Sequence, residues 1–122
     1  MKKYSIIVPI FNEEKNIINF FLEFEKFIDK FLNENFELVI VNDGSTDHSK
    51  NIILEWSKRN IKLNHKIIHN QINSGYGNAL KKGILNSINR NKDLQFKIII
   101  GLRLVGTFML FGIGMTLLLL TL

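Results

Sequence analysis

The sequence contains no cysteine, which excludes disulfide bonds and thiolate metal sites and fits a reducing compartment. It contains a single proline, Pro9. The glycine patterns of dinucleotide-binding domains and of P-loop proteins are also missing, so a dehydrogenase-type dinucleotide domain is a poor alternative. No basic patch interleaved with aromatic residues is present, as single-strand binders require, and we expect no nucleic-acid partner.

Charge is missing from the end of the chain. The 122 residues carry 16 Lys and Arg against 11 Asp and Glu, yet residues 104–122 hold no charged side chain. A helix needs about 20 consecutive apolar residues to cross a bilayer core, so we expect a transmembrane helix over residues 104–122; the alternative is a buried core helix. Basic residues dominate residues 81–103, and positive charge beside a span favours the cytoplasm. We therefore expect a single-pass membrane protein with its N-terminal domain in the cytoplasm.

The rest of the chain alternates between two hydrophobic patterns. Continuous apolar runs predict buried strands at residues 4–11, 36–41 and 62–70, and Pro9 is expected to end the first of them. Apolar residues at helical spacing predict helices at residues 13–35, 46–60 and 73–88. The first two helices are expected to face the core with Ile17, Phe20, Phe21, Phe24, Phe27, Ile28, Phe31, Ile52, Ile53 and Trp56. Alternation of strand and helix is typical of a parallel α/β sheet, and this is the predicted fold class.

Polar and glycine residues follow each predicted strand, in residues 9–13, 41–47 and 69–77. Ligands of such sheets bind at the carboxyl ends of the strands. Asp43 is an acceptor-only group there, able to take hydrogen bonds from a base N–H or from ribose hydroxyls. The alternative is a plain turn whose acid caps the next helix, a role also open to Ser45, Thr46 or Asp47.

Three motifs together resemble a known family. "SIIVPIFNEEKNI" (5–17), "ELVIVNDGSTDHS" (37–49) and "NSGYGNALKKGI" (73–84) are similar to the opening motifs of family 2 inverting glycosyltransferases, nearest to the dolichol- or polyprenol-phosphate sugar transferases. The resemblance implies a partial GT-A (Rossmann-like) parallel sheet with flanking helices, followed here by the transmembrane helix. It also implies a nucleotide-diphosphate sugar as partner. The positions matching the family's nucleotide-binding residues are Pro9, Phe11, Glu13, Val41, Asp43, Gly75 and Lys81.

The resemblance implies transfer of a sugar from its nucleotide to a lipid phosphate, such as polyprenyl phosphate, or to a glycan acceptor. Members of the family hold Mg²⁺ or Mn²⁺ with an acid-x-acid motif and use a later carboxylate as base. Here "NKDLQ" (91–95) keeps only Asp93, which is the last acid in the sequence. We therefore assign no catalytic and no metal residue, and expect a truncated or internally shortened, catalytically incomplete transferase.

The predicted organisation has three parts: a nucleotide-sugar-binding half in residues 1–92, a basic juxtamembrane connector or strand in residues 93–103, and the transmembrane helix in residues 104–122. The alternative function is a non-catalytic module that binds a nucleotide, or that associates with other membrane proteins by pairing with a full-length transferase.

Overall fold

The computed structural model describes residues 3–30, 35–90, 96–99 and 119–120. Three helices lie in these ranges: α1 (Ile17–Lys30), α2 (Ser49–Arg59) and α3 (Tyr76–Arg90). The strands are β1 (Lys3–Ile10), β2 (Asn35–Asp43), β3 (His65–Asn70), β4 (Phe96–Ile99) and β5 (Leu119–Leu120). The predicted alternation of strand and helix through α3 is confirmed.

The described strands form one sheet in the order β3-β2-β1-β4-β5. β1 pairs in parallel with both β2 and β4, and β2 pairs in parallel with β3. The predicted parallel α/β sheet is therefore confirmed, in the part of the fold that these residues build. β5 pairs antiparallel with β4.

The expectation that Pro9 ends the first strand is wrong. Pro9 lies in register with Val41, and β1 continues to Ile10. Proline lacks the N–H that a ladder on both sides would use. The described β4 pairs only with residues 4–7 of β1, so Pro9 lies beyond that ladder and is tolerated in the strand.

Side chains alternate between the two faces of the sheet, and each face has its own core. Helices α1 and α2 cover one face, where Trp56 stacks on Phe21 with ring centroids 4.3 Å apart. The residues predicted to face inward belong to this core. Ile17, Phe20, Phe21, Phe24, Ile53 and Trp56 are buried in it, and Phe27, Ile28 and Ile52 pack against it partly buried. Phe31, also predicted to be core, lies outside the described residues.

Helix α3 covers the other face over Ile7, Val39 and Val41. It lies close to the sheet because Gly83 has no side chain: a Cβ there would be 2.5 Å from Cγ2 of Ile7. This close approach brings the beginning of α3 to the carboxyl edge of β2, next to Asp43.

The predicted transmembrane helix lies mostly outside the described residues. Of residues 104–122 the structure describes Leu119–Leu120, which form β5. Within the described part of the chain, none of the helices has the length and apolar character needed to cross a bilayer.

Candidate functional site

Three loops follow β1, β2 and β3 at the carboxyl edge of the sheet. We define loop 1 as residues 11–16, loop 2 as residues 44–48 and loop 3 as residues 71–75. Loop 1 is hydrogen-bonded to loop 2, and loop 3 is hydrogen-bonded to the end of β2. The expectation that the three polar segments converge at one edge is thus confirmed.

Asn12 joins loop 1 to loop 2. Its side-chain Oδ1 accepts hydrogen bonds from the N–H groups of Thr46 (2.8 Å) and Asp47 (3.3 Å). Its own N–H donates to Oγ of Ser45 at 3.0 Å. Asn12 has a φ of 52°, a left-handed conformation that asparagine adopts more readily than most residues. Hydrogen bonds through Asn12 therefore hold together two loops that are not paired with each other as strands.

Asp47 connects both loops to α2. One carboxylate oxygen accepts the N–H of Ser49 at 2.9 Å, and the other accepts the N–H of Glu14 at 3.1 Å. Burial works to raise the pKa of Asp47, but the hydrogen bonds from Ser49 and Glu14 outweigh it, and the pKa is lowered. Of the capping residues that the sequence allowed, Asp47 is the one that bonds the first residue of α2.

Asp43 is the last residue of β2, and only 2% of it is exposed. Its Oδ1 accepts three hydrogen bonds, from Nδ2 of Asn70 (2.7 Å) and from Oγ (2.7 Å) and N (3.0 Å) of Ser74. Its Oδ2 accepts the same Ser74 N–H at 3.1 Å. Burial works to raise the pKa of Asp43, but these hydrogen bonds outweigh it and the pKa is lowered. The carboxylate therefore stays ionised, and it does not cap α2.

Gly44 lets loop 3 approach the end of β2. It has a φ of +70°, and a Cβ there would be 2.4 Å from the backbone N of Asn73. Asn73 in turn donates from Nδ2 to the carbonyl of Asp43 at 3.3 Å and accepts the N–H of Gly75 at 3.1 Å. A residue with a side chain at position 44 cannot coexist with this loop arrangement.

Two of the predicted site residues, Phe11 and Glu13, lie in loop 1. Glu13 is 9% exposed, donates its N–H to Oγ of Ser49 at 2.9 Å and accepts Nδ2 of Asn16 at 2.9 Å. Phe11 begins loop 1 with 39% of its surface exposed. A partly exposed ring at this edge is free to stack on a planar ligand.

The other predicted residues have different surroundings. Pro9 and Val41 are paired in register, and the Val41 side chain lies in the core beneath α3. Gly75 has a φ of +88° and faces open space, with no atom within 4 Å of a Cβ built on it. Lys81 is exposed on α3. A ligand can therefore approach the backbone at Gly75, whereas the Val41 side chain is committed to packing.

Sequence reasoning missed three polar residues at this edge: Asn12, Asn70 and Ser74. All three follow or end a strand, so their position at the carboxyl edge was a usable signal. Lys82, singled out only as part of the third motif, donates from Nζ to Oδ1 of Asn70. Their partners are long-range, which the motif spacing does not reveal.

A buried polar pair lies on the opposite face of the sheet from the Asp43 carboxylate. Asn42 is 2% exposed, and its Nδ2 lies 3.1 Å from Nδ1 of His69. Oδ1 of Asn42 and Nε2 of His69 are buried without a hydrogen-bond partner among the described residues. Burial, assisted by the charge of Lys50, lowers the pKa of His69, so this imidazole is neutral at pH 7.

The described acids do not fit the divalent metal that the resemblance implies. Within the described ranges, no group of three or more His, Cys, Asp or Glu residues could hold a metal ion. The carboxylates of Asp43 and Asp47 instead accept N–H and O–H donors. Asp93, the remnant of the acid-x-acid motif, lies outside the described residues.

Two solved structures with a similar fold are in complex with nucleotide sugars. S. aureus TarS in complex with UDP-GlcNAc has a TM-score of 0.63 and 30% sequence identity, over 84% of this chain and 26% of that one. The mannosyltransferase PcManGT from Pyrobaculum calidifontis, in complex with GDP-Man and Mn²⁺, has a TM-score of 0.56 and 19% identity, over 81% and 27% of the two chains. The fold is the N-terminal part of a GT-A transferase fold.

Sequence comparison gives the family. Residues 5–90 match Glycosyl transferase family 2. The dolichyl-phosphate beta-glucosyltransferase of Saccharomyces cerevisiae is 33% identical over 84 residues, which is 66% of this chain and 25% of that protein. The chain therefore belongs to glycosyl transferase family 2, and the predicted resemblance is confirmed. The chain spans between about a fifth and a third of the length of the curated relatives that it matches, from 22% to 34%.

Proposed function

We propose that residues 1–92 are the nucleotide-sugar-binding half of a family 2 glycosyltransferase domain. The observation that carries the proposal is the ionised Asp43 carboxylate at the edge where loops 2 and 3 meet. Among the described residues, Oδ2 of Asp43 shares the Ser74 N–H with Oδ1, and the Gly75 N–H also acts on the carboxylate and helps to lower its pKa. A carboxylate oxygen has room for about two, so Oδ2 can accept a base N–H or a ribose hydroxyl. Because Asp43 is only 2% exposed, we expect a segment beside it to move when a ligand reaches Oδ2, with the Asn70 and Ser74 bonds to Oδ1 retained.

The surrounding residues supply complementary contacts. The exposed ring of Phe11 can stack on the base, and the backbone of Pro9 and Val41 borders the same edge. Gly75 immediately precedes α3, and the N-terminus of a helix favours phosphate. We assign Gly75 and Lys81 to the diphosphate, and Glu13 to the shape of loop 1, on the basis of their places along this edge.

The reaction we propose for the whole enzyme is transfer of the sugar to a lipid phosphate or glycan acceptor. The yeast relative is a dolichyl-phosphate glucosyltransferase, and the structures similar to this chain hold UDP-GlcNAc and GDP-Man. By analogy, the donor is a nucleotide-diphosphate sugar and the acceptor a polyprenyl phosphate. No step of the transfer is assigned to a metal, since the described acids do not form a metal site.

The first test is calorimetric titration of the intact protein with UDP and with GDP at pH 7. We expect saturable binding of at least one nucleotide, with an affinity that is unchanged when EDTA is added, because the proposed contacts do not include a metal. As matched ligands, uridine and guanosine should bind more weakly, since they lack the diphosphate near Gly75. If neither nucleotide binds, the proposed function is wrong.

A second candidate is a non-catalytic module that binds a nucleotide and pairs with a full-length transferase. The absence of a metal cluster among the described residues favours it. An assay with labelled nucleotide sugar, polyprenyl phosphate and Mg²⁺ or Mn²⁺ separates the two. Transfer by the purified protein would support the enzyme, and nucleotide binding without transfer would support the module.

We also propose that residues 104–122 anchor the protein in a membrane by a single pass, with the N-terminal domain in the cytoplasm. Its support is composition: the segment has no charge and basic residues precede it. We expect the protein to stay with the membrane pellet after washing at pH 11, and a variant ending at residue 103 to be released. Release of the intact protein by the same wash would contradict the anchor.

A further inference from the structure

Asn70 links the Asp43 carboxylate to α3. It is the last residue of β3 and lies directly opposite Asp43 in the parallel register. Its Nδ2 donates to Oδ1 of Asp43 at 2.7 Å, and its own Oδ1 accepts from Nζ of Lys82. The three side chains form a continuous relay from an exposed lysine on α3 to the buried carboxylate.

Lys82 determines which way the Asn70 amide points. An ammonium group has donors and no acceptor, so it must face the amide oxygen. The amide NH₂ is then left to face Asp43, where an ionised carboxylate can only accept. Without Lys82, the amide oxygen loses its charged donor, and only the contacts of Nδ2 with Asp43 and Ser74 hold the amide in this orientation.

The two carboxylate oxygens of Asp43 accept unequal numbers of hydrogen bonds. Oδ1 receives Asn70 and both donors of Ser74, whereas Oδ2 shares the Ser74 N–H, and the Gly75 N–H adds a weaker contact to the carboxylate. A fully occupied oxygen is a poor acceptor for a further donor. Oδ2 is therefore the oxygen left for a ligand.

We propose that Asn70 and Lys82 are positioning residues for the nucleotide site: Lys82 orients the Asn70 amide, and Asn70 holds Oδ1 of Asp43 so that Oδ2 is presented to the donor groups of the nucleotide. The relay itself rests on geometry, and its role toward the nucleotide rests on the proposed function. Neither residue touches the ligand in this arrangement.

The titratable groups on the described elements around Asp43 include Tyr76, Lys81 and Lys82 on α3, His65, Lys66 and His69 on β3, and Asp47 and His48 in loop 2. His69 is paired with Asn42 on the other face of the sheet, and Asp47 is held by Ser49 and Glu14. Burial and hydrogen bonds, and not a charged neighbour, set the direction of the Asp43 pKa. Removing the Asn70 donor should therefore raise that pKa.

The relay is tested with the variants Asn70→Ala, Lys82→Met and Lys82→Arg. Carbon-13 NMR titration of the Asp43 carboxyl group, without nucleotide, reports its pKa. Calorimetry from pH 3.5 to 7 reports nucleotide affinity. We expect Asn70→Ala to raise the Asp43 pKa and to weaken nucleotide binding about tenfold at pH 7, because the Asp43 carboxylate is then no longer held with Oδ2 toward the ligand. The acid limit of binding should move to higher pH by the same amount as the pKa.

Lys82→Met should change the Asp43 pKa and the nucleotide affinity in the same direction as Asn70→Ala does. Lys82→Arg should leave both at wild-type values, because arginine retains a donor. The matched control is Asn86→Ala, which removes an asparagine on the same helix that bonds Lys66 and the Lys82 carbonyl; it should leave both readouts at wild-type values. A structural defect alone would lower affinity without moving the pH limit.

The relay is overturned if the Asp43 pKa in both Asn70→Ala and Lys82→Met equals that of the wild type. Lys82 is exposed, so the Lys82→Met protein provides the test even if Asn70→Ala does not fold. Failure of the proposed function looks different: the wild type then binds neither UDP nor GDP, while the NMR titration still responds to the variants. A shifted pKa with unchanged nucleotide affinity in a binding-competent protein would overturn the positioning role.

Discussion

Replacing Asp43 with alanine is expected to lower the affinity for nucleotide about 100-fold or more, so that the calorimetric titration no longer detects binding. A hydrogen bond to a charged group contributes about 1.5–3 kcal/mol, and 1.4 kcal/mol is tenfold in a binding constant. The variant also leaves the donors of Asn70 and Ser74 without their acceptor. Loop 3 then loses its bonds to the side chain at the end of β2, which adds to the loss, although the Asn73 bond to the carbonyl of residue 43 can remain.

The same substitution should lower the free energy of unfolding by about 2–4 kcal/mol, because the donors of Asn70 and Ser74 lose a charged acceptor. Asp43→Asn separates the two effects, since it keeps the shape and one acceptor oxygen. We expect it to lose about 10–100-fold in affinity with a smaller loss of stability. Asp29→Ala, which removes an exposed acid on α1, is the charge-matched control and should bind nucleotide as the wild type does.

The acid dependence of stability has a defined sign. The folded-state pKa of Asp43 is lowered, so its ionised form stabilises the fold above the unfolded-state pKa of about 3.9. That stabilisation is lost as the pH falls through the lower, folded-state value. The difference in urea stability between wild type and Asp43→Asn should therefore narrow below about pH 4. A difference that stays constant from pH 7 to pH 3 would contradict the assigned hydrogen bonds.

Replacing Gly44 with alanine is expected to destabilise the protein by about 2–5 kcal/mol in urea unfolding. The position combines a φ of +70° with a Cβ that would lie 2.4 Å from the Asn73 backbone. An unfavourable left-handed residue costs about 1–3 kcal/mol, and overpacking adds about 1–3 kcal/mol. The contacting atom is backbone, so a side-chain rotation cannot relieve the clash, and loop 3 must move.

Two other glycines separate these causes. Gly75 has a φ of +88° but open space around the position of a Cβ. Gly77, which lies in α3, also has open space there, and its φ is not positive. Gly75→Ala should show only the conformational loss, of about 1–2 kcal/mol. Gly77→Ala should be neutral or stabilising by up to about 1 kcal/mol, because alanine favours the helix. Equal effects of Gly44→Ala and Gly75→Ala would mean that loop 3 does not contact Gly44 in solution.

The boundaries of β2 show where sequence reasoning stopped short. The apolar run predicted a strand ending at Val41, whereas β2 continues through Asn42 and Asp43. The extension is due to pairing on both sides, since Ile10 of β1 and Asn70 of β3 continue the ladders. A strand in the middle of a sheet can include polar residues when neighbours satisfy its backbone, and hydropathy does not report those neighbours.

The sequence by itself determined the elements from β1 to α3, their order and the edge at which the motifs meet. Periodicity of apolar residues is a local property, and it correctly placed Phe21 and Trp56 in the core. The family followed from three motifs in order, since their residue types and spacing are read directly from the chain.

Only the tertiary structure decided what Asp43 touches. Its partners Asn70 and Ser74 are 27 and 31 positions away, and they meet it because the parallel register aligns the ends of β2 and β3. The left-handed backbone of Asn12 and the approach of Asn73 to Gly44 likewise depend on how the loops pack. Register and loop packing arise from the simultaneous burial of distant segments, so no local pattern encodes them.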